Sequence, residues 1–194
     1  MNKNLKLALT IATAAGITLT SLTPTYAAIN KPEKINQTYQ KELYNLVKNG
    51  NFDNDFEHWT ISNSLPTDSV RIKQENNGNK YIQTDGRKYA SFYQTLDIIG
   101  GNTYNVKFDT KSMHNVYGPG TLTIYETIPT TNGGSKSTVL KQYSLGLSQN
   151  WKENNLNVTP SSDAIKLKLH FKASFGQSAD IDNVEVIDYG KTLN

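Results

Sequence analysis

From Leu43 onward, apolar and polar residues alternate with a period of two. Val70-Arg71-Ile72-Lys73 and Lys80-Tyr81-Ile82-Gln83 follow it. Tyr104, Val106 and Phe108 share one parity, with Asn105, Lys107 and Asp109 on the other. Leu122 and Ile124 oppose Thr121, Thr123 and Tyr125. The clearest run sets Ile165, Leu167, Leu169 and Phe171 against Lys166, Lys168, His170 and Lys172. Such alternation predicts strands with one buried and one wet face. Turn formers separate the runs: Asn76-Asn77-Gly78-Asn79, Asp85-Gly86, Gly100-Gly101-Asn102, Gly118-Pro119-Gly120 and Asn132-Gly133-Gly134. About eight to ten short strands without a convincing helix predict an antiparallel β-sandwich or barrel. No internal repeat points to a propeller or solenoid.

The region before Leu43 has a different pattern. Lys3 and Lys6 precede an apolar stretch from Leu7 to Leu22, and Thr25-Tyr26-Ala27 offers small residues at a cleavage site. Residues 1–27 are therefore expected to be a secretory signal peptide. The polar residues within the stretch and Pro24 argue against a membrane anchor. Residues 28–42 read as a polar linker, because Ile35 and Tyr39 form too thin a stripe for a core helix. The folded body is expected over residues 43–190. No later segment has the apolar length of a membrane-spanning helix.

Composition narrows the function. The formal charge of +3 over 194 residues falls to +1 once the two leader lysines are removed, so nucleic-acid binding is not expected. The absence of cysteine excludes a disulfide scaffold, a thiolate metal site and a catalytic thiol. An exported body of this size must be stable through its core alone, burying about 70% of its unfolded surface.

Four stretches carry a resemblance. Leu46-Val47-Lys48-Asn49-Gly50-Asn51-Phe52-Asp53, with Trp59 following, resembles the opening of carbohydrate-binding modules of the family 4/9/22 type. Ala90–Leu96, Gly101-Asn102-Thr103-Tyr104 with its continuation to Phe108, and Ile181-Asp182-Asn183-Val184 resemble three later strands in the same order. The resemblance implies a galactose-binding-like jelly-roll β-sandwich with a lectin-like, non-catalytic role in binding a poly- or oligosaccharide. It also implies a structural Ca²⁺, for which Asp53 and Asp182 are the candidate ligands. Asp53 stands where glutamate is usual, and Asn183 replaces the second aspartate.

Sugar recognition needs flat apolar surfaces edged by polar groups. Tyr93, Lys107, Asp109, Tyr125 and His170 have the outward parity of their strands, and Tyr117 lies in a Gly/Pro-rich loop that would close one end of a cleft. These six are the candidate carbohydrate contacts. Trp59 and Trp151 read instead as core or loop-packing residues. The row Lys166, Lys168, His170 and Lys172 reads as a solvated or edge strand protected against aggregation. Its sharper reading is a contact for an anionic polymer. Catalysis lacks a constellation: Glu126 and Glu185 have no partner at period two, His58, His114 and His170 lack metal-ligand spacing, and no nucleophile elbow occurs. A secreted adhesin or toxin-like component that binds a host or cell-surface protein would use the same loops and is the alternative class.

Overall fold

The computed structural model describes residues 44–62, 68–112 and 118–190. The predicted leader, the whole of the predicted linker and Tyr117 lie outside them. The described chain forms twelve strands: β1 Thr60–Ile61, β2 Val70–Gln74, β3 Lys80–Thr84, β4 Ala90–Asp97, β5 Tyr104–Lys111 and β6 Gly118–Pro119. They continue with β7 Thr121–Pro129, β8 Ser135–Ser144, β9 Lys152–Val158, β10 Lys166–Ala173, β11 Gln177–Ser178 and β12 Asp180–Asp188. No helix occurs among the described residues.

Two antiparallel five-stranded sheets account for ten strands. One has the order β1-β4-β10-β7-β8 and the other β2-β3-β12-β5-β9. A short parallel pair, β6 with β11, closes one corner. The described chain is an all-β sandwich, as the alternation predicts, with the jelly-roll fold that the resemblance implies.

The inward parities of both sheets meet in one core. Leu167, Leu169 and Phe171 of β10 are fully buried, as are Val106 of β5 and Ile181 and Val186 of β12. Phe171 joins the layers: it stacks on Phe92 at 5.1 Å and meets Phe108 of the opposite sheet edge-on at 5.7 Å. Trp59 packs on Phe52, Phe92 and Phe171, so it is a core residue. Each such aromatic is worth about 3–5 kcal/mol against truncation to alanine.

The opening segment lies beside β12. Leu46 N–H donates to Val186 O at 2.8 Å, and Val184 N–H donates to Gly50 O at 3.0 Å. A Cβ on Gly50 would lie 2.0 Å from Val184 O, so this approach requires glycine. The segment is mostly turn, because Asn49 and Phe52 both have positive φ. Among the described residues its ladder contact is the bridge Asn45↔Ile187. β8 was not visible as alternation because this edge strand is largely exposed on both parities.

Candidate functional site

β10 runs between β4 and β7, in the interior of the first sheet. The edge-strand reading of its lysine row is therefore corrected: both of its backbone edges are already paired. Register brings its outward residues beside those of its neighbours. His170 stands opposite Tyr93 on one side and Thr123 on the other, and Lys168 lies between Thr95 and Tyr125.

The side chains interlock on this face. His170 meets Tyr93 at 5.5 Å and Tyr125 at 6.1 Å between ring centroids. Lys168 Nζ lies over both tyrosine rings, 4.6 Å from Tyr125 and 5.3 Å from Tyr93. Lys172 Nζ is 5.4 Å from the Tyr125 ring and donates to its hydroxyl at 2.9 Å. The tyrosines, His170 and both lysines are all partly exposed, so the row is accessible from solvent. Beyond Tyr93, Thr95 and Asp97 lead into a cleft of about 360 Å³ lined also by Leu46, Lys48, His58 and Gln94.

His170 is held neutral. Burial, followed by the charges of Lys172 and Lys168, pushes its pKa down to about 4. Its Nε2 is hydrogen-bonded to Ser91 Oγ, while Nδ1 is buried and unpartnered among the described residues. The row thus offers two ring faces, a neutral imidazole and two ammonium groups. That set stacks on apolar faces and donates to oxygen.

Tyr93, Tyr125 and His170 are therefore brought together. Lys107 and Asp109 are not, since both lie on the outer face of the other sheet. Lys107 stands between Glu185 and Asn155, and Asp109 Oδ2 accepts from Asn183 Nδ2 at 2.9 Å. Their shared outward parity is real, but it belongs to a different surface. Tyr117 lies outside the described residues. Lys168 and Lys172 were missing from the sugar candidates, although the row in which they stand was legible; what the sequence lacked was the position of the tyrosines beside them.

The opposite outer face has its own aromatic cluster. Trp151 meets Tyr81 edge-on at 5.3 Å, and Lys111 Nζ lies 4.4 Å from both ring centroids. Glu75 Oε1 accepts from Lys111 Nζ at 2.8 Å and from Trp151 Nε1 at 2.9 Å. Trp151 thereby ties the start of β9 to the β2–β3 turn, a loop-packing role. Nearby, burial pushes the Asp180 carboxyl up to about 6, and its Oδ1 has no partner among the described residues.

The two aspartates implied as calcium ligands are placed differently from each other. Asp182 is buried, and its carboxylate accepts from Asn79 Nδ2 and from the Asn183 backbone N–H, each at 2.7 Å. Asp53 is exposed and its carboxylate accepts from Asn51 Nδ2. Lys80 Nζ donates to Asp53 O at 3.0 Å and to Asp55 Oδ1 at 2.7 Å. Calcium needs six to eight oxygen ligands. N–H donors engage these oxygens, so the arrangement does not fit an ion shared by Asp53 and Asp182.

The acids considered for catalysis lie on different sheets. Glu126, buried on β7, accepts from Ser161 N–H, Ser161 Oγ and Thr138 Oγ1 and pins the β9–β10 loop. Glu185 is exposed on β12.

The fold and the aromatic row on its β4–β10–β7 face define a jelly-roll binding module. The family model described as a carbohydrate binding domain, CBM_4_9, matches residues 44–180. The chain belongs to this carbohydrate-binding family. No curated protein sequence matches it. Among solved structures, it is similar to the enzymatically active domain of bacteriophage CBA120 tailspike protein 4, with a TM-score of 0.56 and 18% identity, over 74% of this chain and 21% of that one. This chain therefore spans about a fifth of the tailspike chain. A putative sugar binding protein from Bacteroides thetaiotaomicron aligns with a TM-score of 0.55 at 12% identity, covering 75% of this chain and 100% of that one. A Clostridium thermocellum xylanase 10B structure with a CBM22-1 module, complexed with xylohexaose, aligns with a TM-score of 0.52 at 16% identity, over 74% and 28% of the two chains. At these identities the structural likeness establishes the shared fold.

Proposed function

We propose that the protein is a secreted, non-catalytic carbohydrate-binding module that takes a poly- or oligosaccharide across the β4–β10–β7 face. The observation that carries this reading is the contiguous row Tyr93–His170–Tyr125 on the outer face of a module of this family. Tyrosine faces supply the stacking surface for a pyranose ring, and Lys168, Lys172 and the hydroxyl of Tyr125 supply polar groups at its edge. Among the described residues nothing on this face pairs two carboxylates across a gap, which favours binding over glycoside cleavage. Export follows from the leader, with cleavage after Ala27.

Two measurements test this. N-terminal sequencing of protein recovered from the culture medium is expected to begin at Ala28. A glycan array and insoluble-polysaccharide pull-down with that protein is expected to give a hit that Tyr93→Ala or Tyr125→Ala weakens. Folded protein that retains no glycan would overturn the reading in favour of a cell-surface protein as partner.

A further inference from the structure

We infer that the glycan is anionic: its acid groups meet Lys168 and Lys172 while its rings lie on Tyr93 and Tyr125. This rests on the β4–β10–β7 face being the glycan surface, and it adds the chemical class of the ligand.

The argument starts from where the charges are left. In the row on β10, Lys166 is paired with Asp97 at 2.8 Å. Lys168 and Lys172 have no carboxylate partner among the described residues. Both ammonium groups sit on tyrosine rings instead. A ring quadrupole holds a cation in place but does not neutralise it. Two positive charges are therefore fixed beside flat apolar surfaces, on an exposed face, with His170 uncharged between them. A neutral sugar gains hydrogen bonds there but leaves both charges uncompensated.

Position excludes one ordinary use of such lysines, the protection of a sheet edge. Lysines on an edge strand discourage pairing with another chain, but β10 is an interior strand with neighbours on both sides. Lys168 Nζ and Lys172 Nζ lie 4.6 and 5.4 Å from the centroid of the one Tyr125 ring, so the two charges converge on that ring. A polymer lying across Tyr125 meets both ammonium groups, and an acid group on it is compensated by the pair. Carboxylate, sulfate and phosphate all satisfy this geometry, so the shared chemistry is an acid group carried on a sugar chain.

The test compares charged and uncharged forms of similar polymers by affinity electrophoresis and calorimetry. The pairs are polygalacturonate against its methyl ester, and carrageenan against agarose; a glycerol-phosphate teichoic polymer is the phosphate arm. At least one acidic polymer is expected to bind at least about tenfold more tightly than the neutral polymers, with affinity falling as salt rises. The arm that binds identifies the acid group. Lys168→Gln is expected to remove most of that preference, and Lys168→Arg to keep it. Circular dichroism confirms that each variant is folded.

Equal binding of charged and neutral polymers, weakened by Tyr93→Ala, would overturn the anionic class and leave the face as the glycan site. Acidic-polymer binding that neither Lys168→Gln nor Tyr93→Ala changes would overturn both the class and the face. Absence of binding to every polymer would overturn the glycan reading itself.

Discussion

The two outer faces of the sandwich each hold lysine over aromatic rings, and they differ in one ingredient. On one face Lys111 lies between Tyr81 and Trp151, and Glu75 accepts a hydrogen bond from both the lysine and the indole. On the other face Lys168 and Lys172 lie over Tyr93 and Tyr125 without a carboxylate. The first cluster is internally satisfied, so it works as a clasp between the β2–β3 turn and the start of β9. The second retains charge that its own residues do not balance, and so remains available to a ligand. Under the proposed function, the same residue types serve packing or recognition according to whether an acid completes them.

Removing the rings should separate the two faces most sharply. Tyr93→Ala combined with Tyr125→Ala is expected to lower glycan affinity by about a hundredfold or more, since each lost stacking ring is worth roughly 1–2 kcal/mol. Thermal stability should change far less, because both rings are partly exposed. If calorimetry shows unchanged affinity in the folded double variant, the open face is not the binding surface.

Opening the closed cluster is the next test. Glu75→Gln should lower stability by about 1 kcal/mol, since it weakens two charge-assisted hydrogen bonds, and should leave glycan affinity unchanged. Denaturant melts and binding isotherms on the same variant read both effects. A loss of affinity with retained stability would reverse the roles of the two faces.

Acid titration distinguishes the faces more finely, because burial strongly displaces His170 on one and Asp180 on the other. His170 has its folded pKa pushed down to about 4. As pH falls from about 6.5 towards 4, the unfolded chain gains a proton that the folded chain refuses, and stability drops. Asp180 is pushed up to about 6 by burial, against the lowering effects of Gln83, Lys111 and Lys73. Here the folded chain keeps a proton that the unfolded chain loses, so its contribution is present at low pH and lost as pH rises through about 6. The two slopes oppose each other between about pH 4 and 6. Asp180→Asn is expected to steepen the acid loss of thermal stability, and His170→Gln to reverse its direction. A matching pH profile in all three proteins would refute the assignment.

The smallest expected effect is that of calcium. Asn79, Asn183 and Lys80 already engage Asp182 and the turn around Asp53, so adding calcium or EDTA should shift the melting midpoint by less than a degree. A stabilisation of several degrees would mean that these N–H donors give way to the ion.

Much of this protein is legible in its sequence because side-chain alternation is a local property. Leu167, Leu169 and Phe171 bury and Lys166, Lys168, His170 and Lys172 face out because successive Cβ atoms point to opposite sides of a strand. The turn signals and the ordered motifs likewise locate the sandwich and the family. β8 escaped because an exposed edge strand has no buried parity to betray it. The different burial of Asp53 and Asp182 has another origin. The opening segment does run beside β12, but positive φ at Asn49 and Phe52 turns the chain, and Asp53 is left exposed while Asp182 is buried.

Parity says whether a residue faces in or out, and the sequence determined that much. It also carried the lysine row. Which sheet each outward face belongs to was decided by long-range strand pairing, which no local pattern encodes. Lys107 and Asp109 share outward parity with Tyr93, Tyr125 and His170, yet the order β4-β10-β7 gathers the latter three and the order β12-β5-β9 carries the former two to the opposite surface. The same pairing set tyrosines beside Lys168 and Lys172 and a glutamate beside Lys111. Hydrogen-bond register between distant segments thus decided which cations are neutralised and which are left for a ligand.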